Sequence, residues 1–181
     1  MKTLVKLMLI SSLVVLASGF SSAYAESDIG FKGIAGRLGY VDLDNWDGTF
    51  NIGVAADLGT WMENLKWDAS IEYWSSTESI GSADFTISNV ALRSGVLYEF
   101  MQDKFRPRAG GGLGIHMLSW EAPGFYGTVD EDDTKFGFYL QGGVETDLSD
   151  KLVGSADLRL DMVDDADQTH IMFTITYLLG K

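Results

Sequence analysis

The sequence predicts an all-β fold: an eight-stranded, antiparallel, up-and-down transmembrane β-barrel with both termini in the periplasm. Three observations predict it. After residue 25 the chain divides into eight segments in which apolar residues alternate with polar or small ones, the period of a strand with two unlike faces. The apolar face of these segments carries no charge. Short turns then alternate with mostly longer acidic connections, as in a barrel that crosses an outer membrane.

The amino terminus sets the compartment. Lys2 and Lys6 precede an almost unbroken apolar run from Leu7 to Leu16, and small residues lead to Ala23-Tyr24-Ala25. That is the plan of a secretory signal peptide, with cleavage expected after Ala25. The run is too short to cross a hydrocarbon layer of about 30 Å as a helix. Residues 26–181 then form one domain of ordinary size.

Composition narrows the classes. The whole chain has a formal net charge of −13, and removing residues 1–25 takes two lysines and no acid. Such an acidic excess argues against nucleic acid, whose binding depends on Lys and Arg. With no cysteine, the chain has no disulfide, thiolate nucleophile or Cys-ligated zinc. No later segment approaches the apolar length of a transmembrane helix, and 12% aromatic residues argue against disorder.

Taken in order, the first segment sets Ile34, Leu38 and Tyr40 against Gly33, Ala35, Arg37 and Gly39. The second is the cleanest: Phe50, Ile52, Val54, Ala56 and Leu58 oppose Asn51, Gly53, Ala55 and Asp57. Trp67, Ala69, Ile71 and Tyr73 oppose Asp68, Ser70, Glu72 and Trp74 in the third. The fourth places Val90, Leu92, Val96, Tyr98 and Phe100 opposite Ala91, Arg93, Gly95 and Glu99. In the fifth, Phe105, Ala109, Leu113, Ile115 and Met117 face away from Arg106, Arg108, Gly110, Gly112, Gly114 and His116. The sixth has Phe136, Phe138, Leu140 and Val144 against Gly137, Tyr139, Gln141, Gly143 and Glu145. Ala156, Leu158, Leu160 and Met162 oppose Ser155, Asp157, Arg159 and Asp161 in the seventh. The eighth sets Ile171, Phe173, Ile175, Tyr177 and Leu179 against His170, Met172, Thr174 and Thr176.

Short turns are expected at Gly59 to Asn64, Met101 to Lys104 and Ser149-Asp150. Acidic loops are expected around Asp42, Asp44 and Asp47; Glu78 and Asp84; Glu121 with Asp130 to Asp133; and Asp164, Asp165 and Asp167.

A soluble eight-stranded barrel would show the same alternation with its apolar face inward. Size decides. An eight-stranded barrel is just wide enough for its inward side chains, and the Phe, Trp and Tyr of the apolar faces would overfill it. The glycines share the polar face, where crowded inward side chains need room and a solvated surface would only lose strand stability. Aromatics near the segment ends, Tyr40, Trp67, Tyr73, Tyr98, Phe100, Phe105, Phe136 and Tyr177, suit interfacial girdles.

Arg106-Pro107-Arg108-Ala109-Gly110-Gly111-Gly112-Leu113-Gly114, Leu140-Gln141-Gly142-Gly143-Val144-Glu145 and Asp157-Leu158-Arg159-Leu160 carry a resemblance over the whole mature chain. It resembles the small outer-membrane β-barrel family that includes OmpA-like transmembrane domains, OmpX and OmpW-like proteins. The resemblance implies outer-membrane lipid, lipopolysaccharide and the barrel-insertion machinery as partners of a monomer. Members usually end in an aromatic residue. This chain departs from that pattern, with Leu179 before Gly180-Lys181 and Tyr177 as its last aromatic.

Inside the barrel, Arg37, Asp57, Asp68, Glu72, Arg93, Glu99, Arg108, Glu145, Asp157, Arg159 and Asp161 form a candidate lumen charge network. Threading the strands up and down places Asp57, Asp68, Glu99, Arg106, Arg108 and Glu145 toward the periplasmic half. Arg37, Glu72, Arg93, His116, Asp157, Arg159 and Asp161 fall nearer the middle and the outer half. Arginines among carboxylates favour bidentate pairs, so the expectation is a salt-bridged plug. The alternative is a narrow channel or binder for ions or small hydrophobic molecules, as in OmpW-like relatives.

An enzyme is not expected, and neither is a cofactor. A lipid A-modifying hydrolase is the remote alternative, but His116 and His170 lie on non-adjacent strands and no serine motif accompanies them. The acidic loops have the oxygen ligands for divalent cations. Without calcium-loop spacing, a hydrated charged surface is the simpler expectation there. A structural or interaction role in the envelope follows as the leading function.

Overall fold

The computed structural model describes residues 27–43, 46–80, 83–101, 103–124, 127–164 and 166–179. The expected cleavage at Ala25, Asp44, Asp165, the side chain of Asp130 and Gly180-Lys181 lie outside the described residues.

The strands are β1 (Asp28–Leu43), β2 (Trp46–Met62), β3 (Leu65–Ile80), β4 (Ala83–Glu99), β5 (Phe105–Gly124), β6 (Gly127–Asp147), β7 (Leu152–Val163) and β8 (Gln168–Leu178). They form one closed antiparallel barrel in chain order, and β8 pairs back on β1 from Gly33↔Leu178 to Leu43↔Gln168. Closure leaves the sheet without an edge at membrane depth, which lipid demands because it offers backbone groups no hydrogen bonds. No helix among the described residues is long and apolar enough to cross a membrane; strands make the crossing. β1 begins and β8 ends at one rim, here the terminal rim, which also carries the β2–β3, β4–β5 and β6–β7 turns. The opposite end is the hairpin rim.

The faces divide as the alternation requires. Phe50, Ile52, Val54, Leu113, Phe136, Leu140, Leu158 and Phe173 point outward and are exposed, while Arg37, Glu72, Arg93, Arg159 and Asp161 are buried inside. An apolar exterior around a charged interior is unstable in water and suited to hydrocarbon. Aromatics bound the exterior. Tyr40, Phe50, Tyr73 and Phe136 lie toward the hairpin rim, with Tyr40 and Phe50 edge to face at 5.9 Å. Toward the terminal rim lie Tyr177 and Phe105, the Tyr98–Phe100 pair at 5.3 Å and the Trp61–Trp67 pair at 6.4 Å. Along β2, the run from Phe50 to Trp61 covers roughly 36 Å of strand and, at a tilt of about 40°, roughly 28 Å of height. That matches a bilayer's apolar thickness.

The hairpin-rim connections differ from the expectation of long acidic loops. β1 and β2 continue to Leu43 and from Trp46, β3 and β4 to Ile80 and from Ala83, and β5 and β6 to Gly124 and from Gly127. Glu78, Asp84, Glu121 and Asp130 to Asp133 therefore stand on strands. Beyond the aromatic row the outward face turns polar while Trp74, Ile87, Leu118 and Trp120 stay inside, so an apolar outward face no longer marks the strands, yet cross-strand pairing persists. Thr77 and Thr86 hydroxyls meet at 2.9 Å, Ser79 Oγ donates to Asp84 at 2.6 Å and Ser119 Oγ donates to Asp132 at 3.0 Å. At the terminal rim the β2–β3 turn shortens to Glu63-Asn64, with Asn64 left-handed at φ 63°.

Candidate functional site

The lumen is filled in three tiers. At the hairpin rim, Val41 and Leu43 of β1, Trp74 of β3, Ile87 of β4 and Leu118 of β5 form a buried apolar cluster, with Trp120 and Ala166 packed against it. The central tier is the charge network, and a second ionic tier faces the terminal rim.

Register builds the central tier. Arg37 pairs with Gly53 and Gly53 with Glu72, so one lateral row places a guanidinium, a gap and a carboxylate side by side. A methyl at Gly53 would lie 2.5 Å from Glu72 Cγ and 2.7 Å from the Ile71 carbonyl, so only glycine leaves Glu72 its place. Arg93 likewise pairs with Gly114, and Arg108 with Gly143.

Glu72 gathers three arginines. Arg159 donates to its two oxygens at 2.9 and 2.6 Å, Arg37 at 3.1 Å and Arg93 at 3.2 Å. Ser70 Oγ at 3.2 Å and Asn51 Nδ2 at 3.1 Å also donate to it. Asp161 is the second hub, taking Arg93 Nη2 at 2.8 Å and Arg159 Nε at 3.2 Å, with His170 Nε2 at 2.9 Å. Arg37 also donates to Asp68. Arg159 lies over the Tyr139 ring at 5.7 Å from its centroid. His170 Nδ1 lies 3.2 Å from Asn51 Nδ2, and His116 Nδ1 lies 3.1 Å from Asn89 Nδ2.

The lower tier turns on Arg108 and Glu145. Arg108 forms a fork with Asp157 at 3.0 and 2.7 Å and donates to Glu145 at 2.6 Å and Ser155 at 2.7 Å. Lys66 bridges Glu145 at 2.6 Å and Glu99 at 2.7 Å, and Arg106 binds Glu145 at 3.0 Å and Asp147 at 2.7 Å. Below this tier a recess of about 640 Å³ opens at the terminal rim, lined by Lys66, Glu99, Arg106, Glu145, Asp147 and Leu178 among others.

Both signs are closely matched. Among the described residues Arg37, Lys66, Arg93, Arg106, Arg108 and Arg159 face Asp68, Glu72, Glu99, Glu145, Asp157 and Asp161, with Asp147 as a further, exposed partner of Arg106 at the rim. A narrow low-dielectric lumen tolerates charge only in such compensated, hydrogen-bonded form.

Of the residues expected from sequence, Arg37, Asp68, Glu72, Arg93, Arg159 and Asp161 meet in the central tier, and Glu99, Arg108, Glu145 and Asp157 in the lower one. Asp157 was expected higher. It sits in the lower tier because Arg108 and Asp157 both pair with Gly143 from opposite sides. Asp57 does not join; its carboxylate accepts the Gly59 N–H at 2.8 Å, holding a residue with φ 84° at a register shift within β2. Lys66 escaped the sequence reading, although it shares the parity of Asp68 and Glu72 one residue before that segment was begun. The apolar cap escaped too, since Val41 and Leu43 lie past Tyr40, where the first segment was ended.

A closed eight-stranded barrel with an apolar exterior and a filled ionic lumen defines the class: an integral protein of the bacterial outer membrane. Residues 11–177 match the model of the outer membrane protein beta-barrel domain, and the chain belongs to that family. Neisserial surface protein A (NspA) superposes with a TM-score of 0.64 at 14% identity, covering 82% of this chain and 97% of that one. Ail, the attachment invasion locus protein of Yersinia pestis, gives a TM-score of 0.52 at 13% identity, with 83% and 99% covered. The outer membrane enzyme PagL gives 0.51 at 16% identity, with 79% and 97% covered. At these identities the likeness is one of fold. No curated protein matches the chain in sequence.

Proposed function

We propose that this protein is a structural and interaction component of the outer membrane, with a lumen plugged rather than conducting. The observation that carries the reading is the Glu72 hub: three arginines from β1, β4 and β7 converge on one β3 carboxylate directly below the apolar cap. Ions have no continuous aqueous route past such a tier. The recess at the terminal rim supports the channel reading for part of the way, and it stops at the Lys66–Glu145–Arg108 tier. Reconstituted in planar bilayers, the full barrel should give no resolvable single-channel current. Steady, ion-selective openings would overturn the plug and favour a narrow channel.

The same reading sends residues 1–25 to the membrane as a cleaved signal and leaves both termini in the periplasm, with the hairpin rim outward. Mass spectrometry of the membrane-inserted protein should find Glu26 at its amino terminus, and surface proteolysis of intact cells should cut only the hairpin rim. PagL shares the fold, but here His116 and His170 are buried in the lumen and bonded to Asn89, Asn51, Gln168 and Asp161. A lipid substrate at the barrel's exterior does not reach them, which supports a non-enzymatic role. An unchanged lipid A mass profile with and without the protein is the expected result.

Interaction falls to the hairpin rim. Asp42, Asp47, Glu78, Asp84, Glu121, Glu131, Asp132 and Asp133 stand there, and Lys135 pairs with Asp133 at 3.7 Å. Ail has been crystallised with the heparin analogue sucrose octasulfate. An acidic rim repels such a polyanion, so this protein's partners have a different chemistry.

A further inference from the structure

The two carboxylate hubs of the central tier are joined by a pair of uncharged side chains, His170 of β8 and Asn51 of β2. His170 Nε2 lies 2.9 Å from Asp161 Oδ2 and 3.2 Å from Gln168 Oε1, both acceptors. Its Nδ1 lies 3.2 Å from Asn51 Nδ2, and that same amide nitrogen donates to Glu72 at 3.1 Å. A neutral imidazole has one donor nitrogen and one acceptor. These partners assign the proton to Nε2 and leave Nδ1 to accept from the amide. The link continues upward, because Trp74 of the apolar cap donates to the same Gln168 oxygen at 3.1 Å.

A second proton on this ring conflicts with the arrangement. It would sit on Nδ1 and point at the amide N–H, donor against donor. Asn51 Oδ1 is buried and has no hydrogen-bond partner among the described residues. Turning the amide about Cβ–Cγ brings that oxygen to the imidazolium. The turn costs Glu72 its bond from Nδ2 and sets a carbonyl oxygen beside its carboxylate instead.

Charge acts in the same direction. In the central tier Arg37, Arg93 and Arg159 are matched by Asp68, Glu72 and Asp161. His170 is faced by Asp161 and Arg159 from β7, by Arg93 of β4 and by His116 of β5, while β1 sets the uncharged Val41 opposite it. A proton on His170 therefore adds positive charge to a tier whose carboxylates are already engaged. A buried charge left uncompensated is costly, and water and anions entering the tier relieve it. His116 makes the corresponding contact with Asn89 at 3.1 Å, but the Asn89 amide has no carboxylate partner among the described residues.

We propose that His170 and Asn51 form a proton-operated latch on the plug. With His170 neutral, the Asn51 amide ties the Asp161 hub to the Glu72 hub. With His170 protonated, the amide turns, the Glu72 hub loosens and the lumen admits anions. The proposal deepens the plugged-lumen reading and rests on it.

The test takes the full, isotope-labelled barrel in phospholipid nanodiscs and the same barrel in planar bilayers. By NMR at about pH 7.5, His170 should carry its proton on Nε2 alone; on acidification to about pH 4.5, its ring and the Asn51 side-chain amide should shift with one midpoint. In bilayers the barrel should be silent at about pH 7.5 and open in acid with anions favoured. The open probability should rise at least about tenfold, the worth of one hydrogen bond to a charged group. His170→Gln keeps an oxygen and an N–H at the end of the side chain and takes up no proton, so it should stay silent at both pH values. His116→Gln should open as the unaltered protein does. Acid openings retained in His170→Gln, or lost in His116→Gln, would overturn the latch. So would a protonated His170 beside Asn51 amide resonances that stay still, which decides the matter even where His170→Gln does not fold. A His170 that takes up no second proton by about pH 4.5 overturns it as well. Current at about pH 7.5 that acid leaves unchanged would sink the plug itself, whereas the linked His170 and Asn51 shifts are read without any current.

Discussion

Glu72 shows what one residue carries in this fold. Its carboxylate neutralises parts of Arg37, Arg93 and Arg159, and removing its charge leaves three buried guanidiniums with fewer acceptors. Glu72→Gln should cost about 3–5 kcal/mol, the range for breaking a buried pair from one side. Asp57→Asn, at a group whose carboxylate accepts the Gly59 N–H outside the two ionic tiers, should stay within about 1 kcal/mol. Urea unfolding in lipid vesicles compares the two, and similar costs would show that the hub is no more than another lumen charge. On the opposite face, Val54→Arg or Leu140→Arg should cost about 2–4 kcal/mol if these exposed side chains lie at mid-bilayer. Near-neutral values there would contradict the placement of the band. The parity of Glu72, Arg93 and Arg159 was legible from the sequence. Their partnership was not, because Arg159 reaches Glu72 from 87 residues away, across the barrel.

At the scale of elements, strand length depends on what lies on either side. β7, of 12 residues, barely exceeds a crossing of about 9–11, and β8, of 11, falls at its upper limit. β5 and β6, of 20 and 21 residues, continue well past the aromatic row. Hydropathy alternation ends with the bilayer, so the sequence showed the crossing portions of these strands and read their extensions as acidic loops. What holds the extensions is Trp74, 2% exposed, with Leu118 and Ile87 inside the hairpin rim. Trp74→Ala should cost about 3–5 kcal/mol, as large core truncations do. Amide exchange should quicken first in the upper β3–β4 and β5–β6 hairpins, leaving the β7–β8 ladder protected. Uniform quickening around the barrel would mean that the cap is not a separate unit.

For the whole molecule, the ionic lumen makes stability insensitive to salt. Buried pairs are screened far less than surface pairs, whose Debye length falls from about 10 Å at 0.1 M to about 3 Å at 1 M. The urea midpoint should therefore hold nearly constant over that range, and a steep decline would mean that water and ions penetrate the central tier. Such a filled lumen is a consequence of size: eight strands enclose only enough room for side chains.

The strand count, the antiparallel order, the lipid-facing band and the inward parity of Arg37, Glu72, Arg93, Arg159 and Asp161 were determined by the sequence, because a period of two assigns each side chain a face without reference to any other strand. Only the tertiary structure decided which lumen charges meet, that Lys66 joins them, that an apolar cap closes the hairpin rim, and that β6 rises beyond its ladder with β7. Those facts depend on register and on contacts across the barrel, between residues that the linear pattern never brings together.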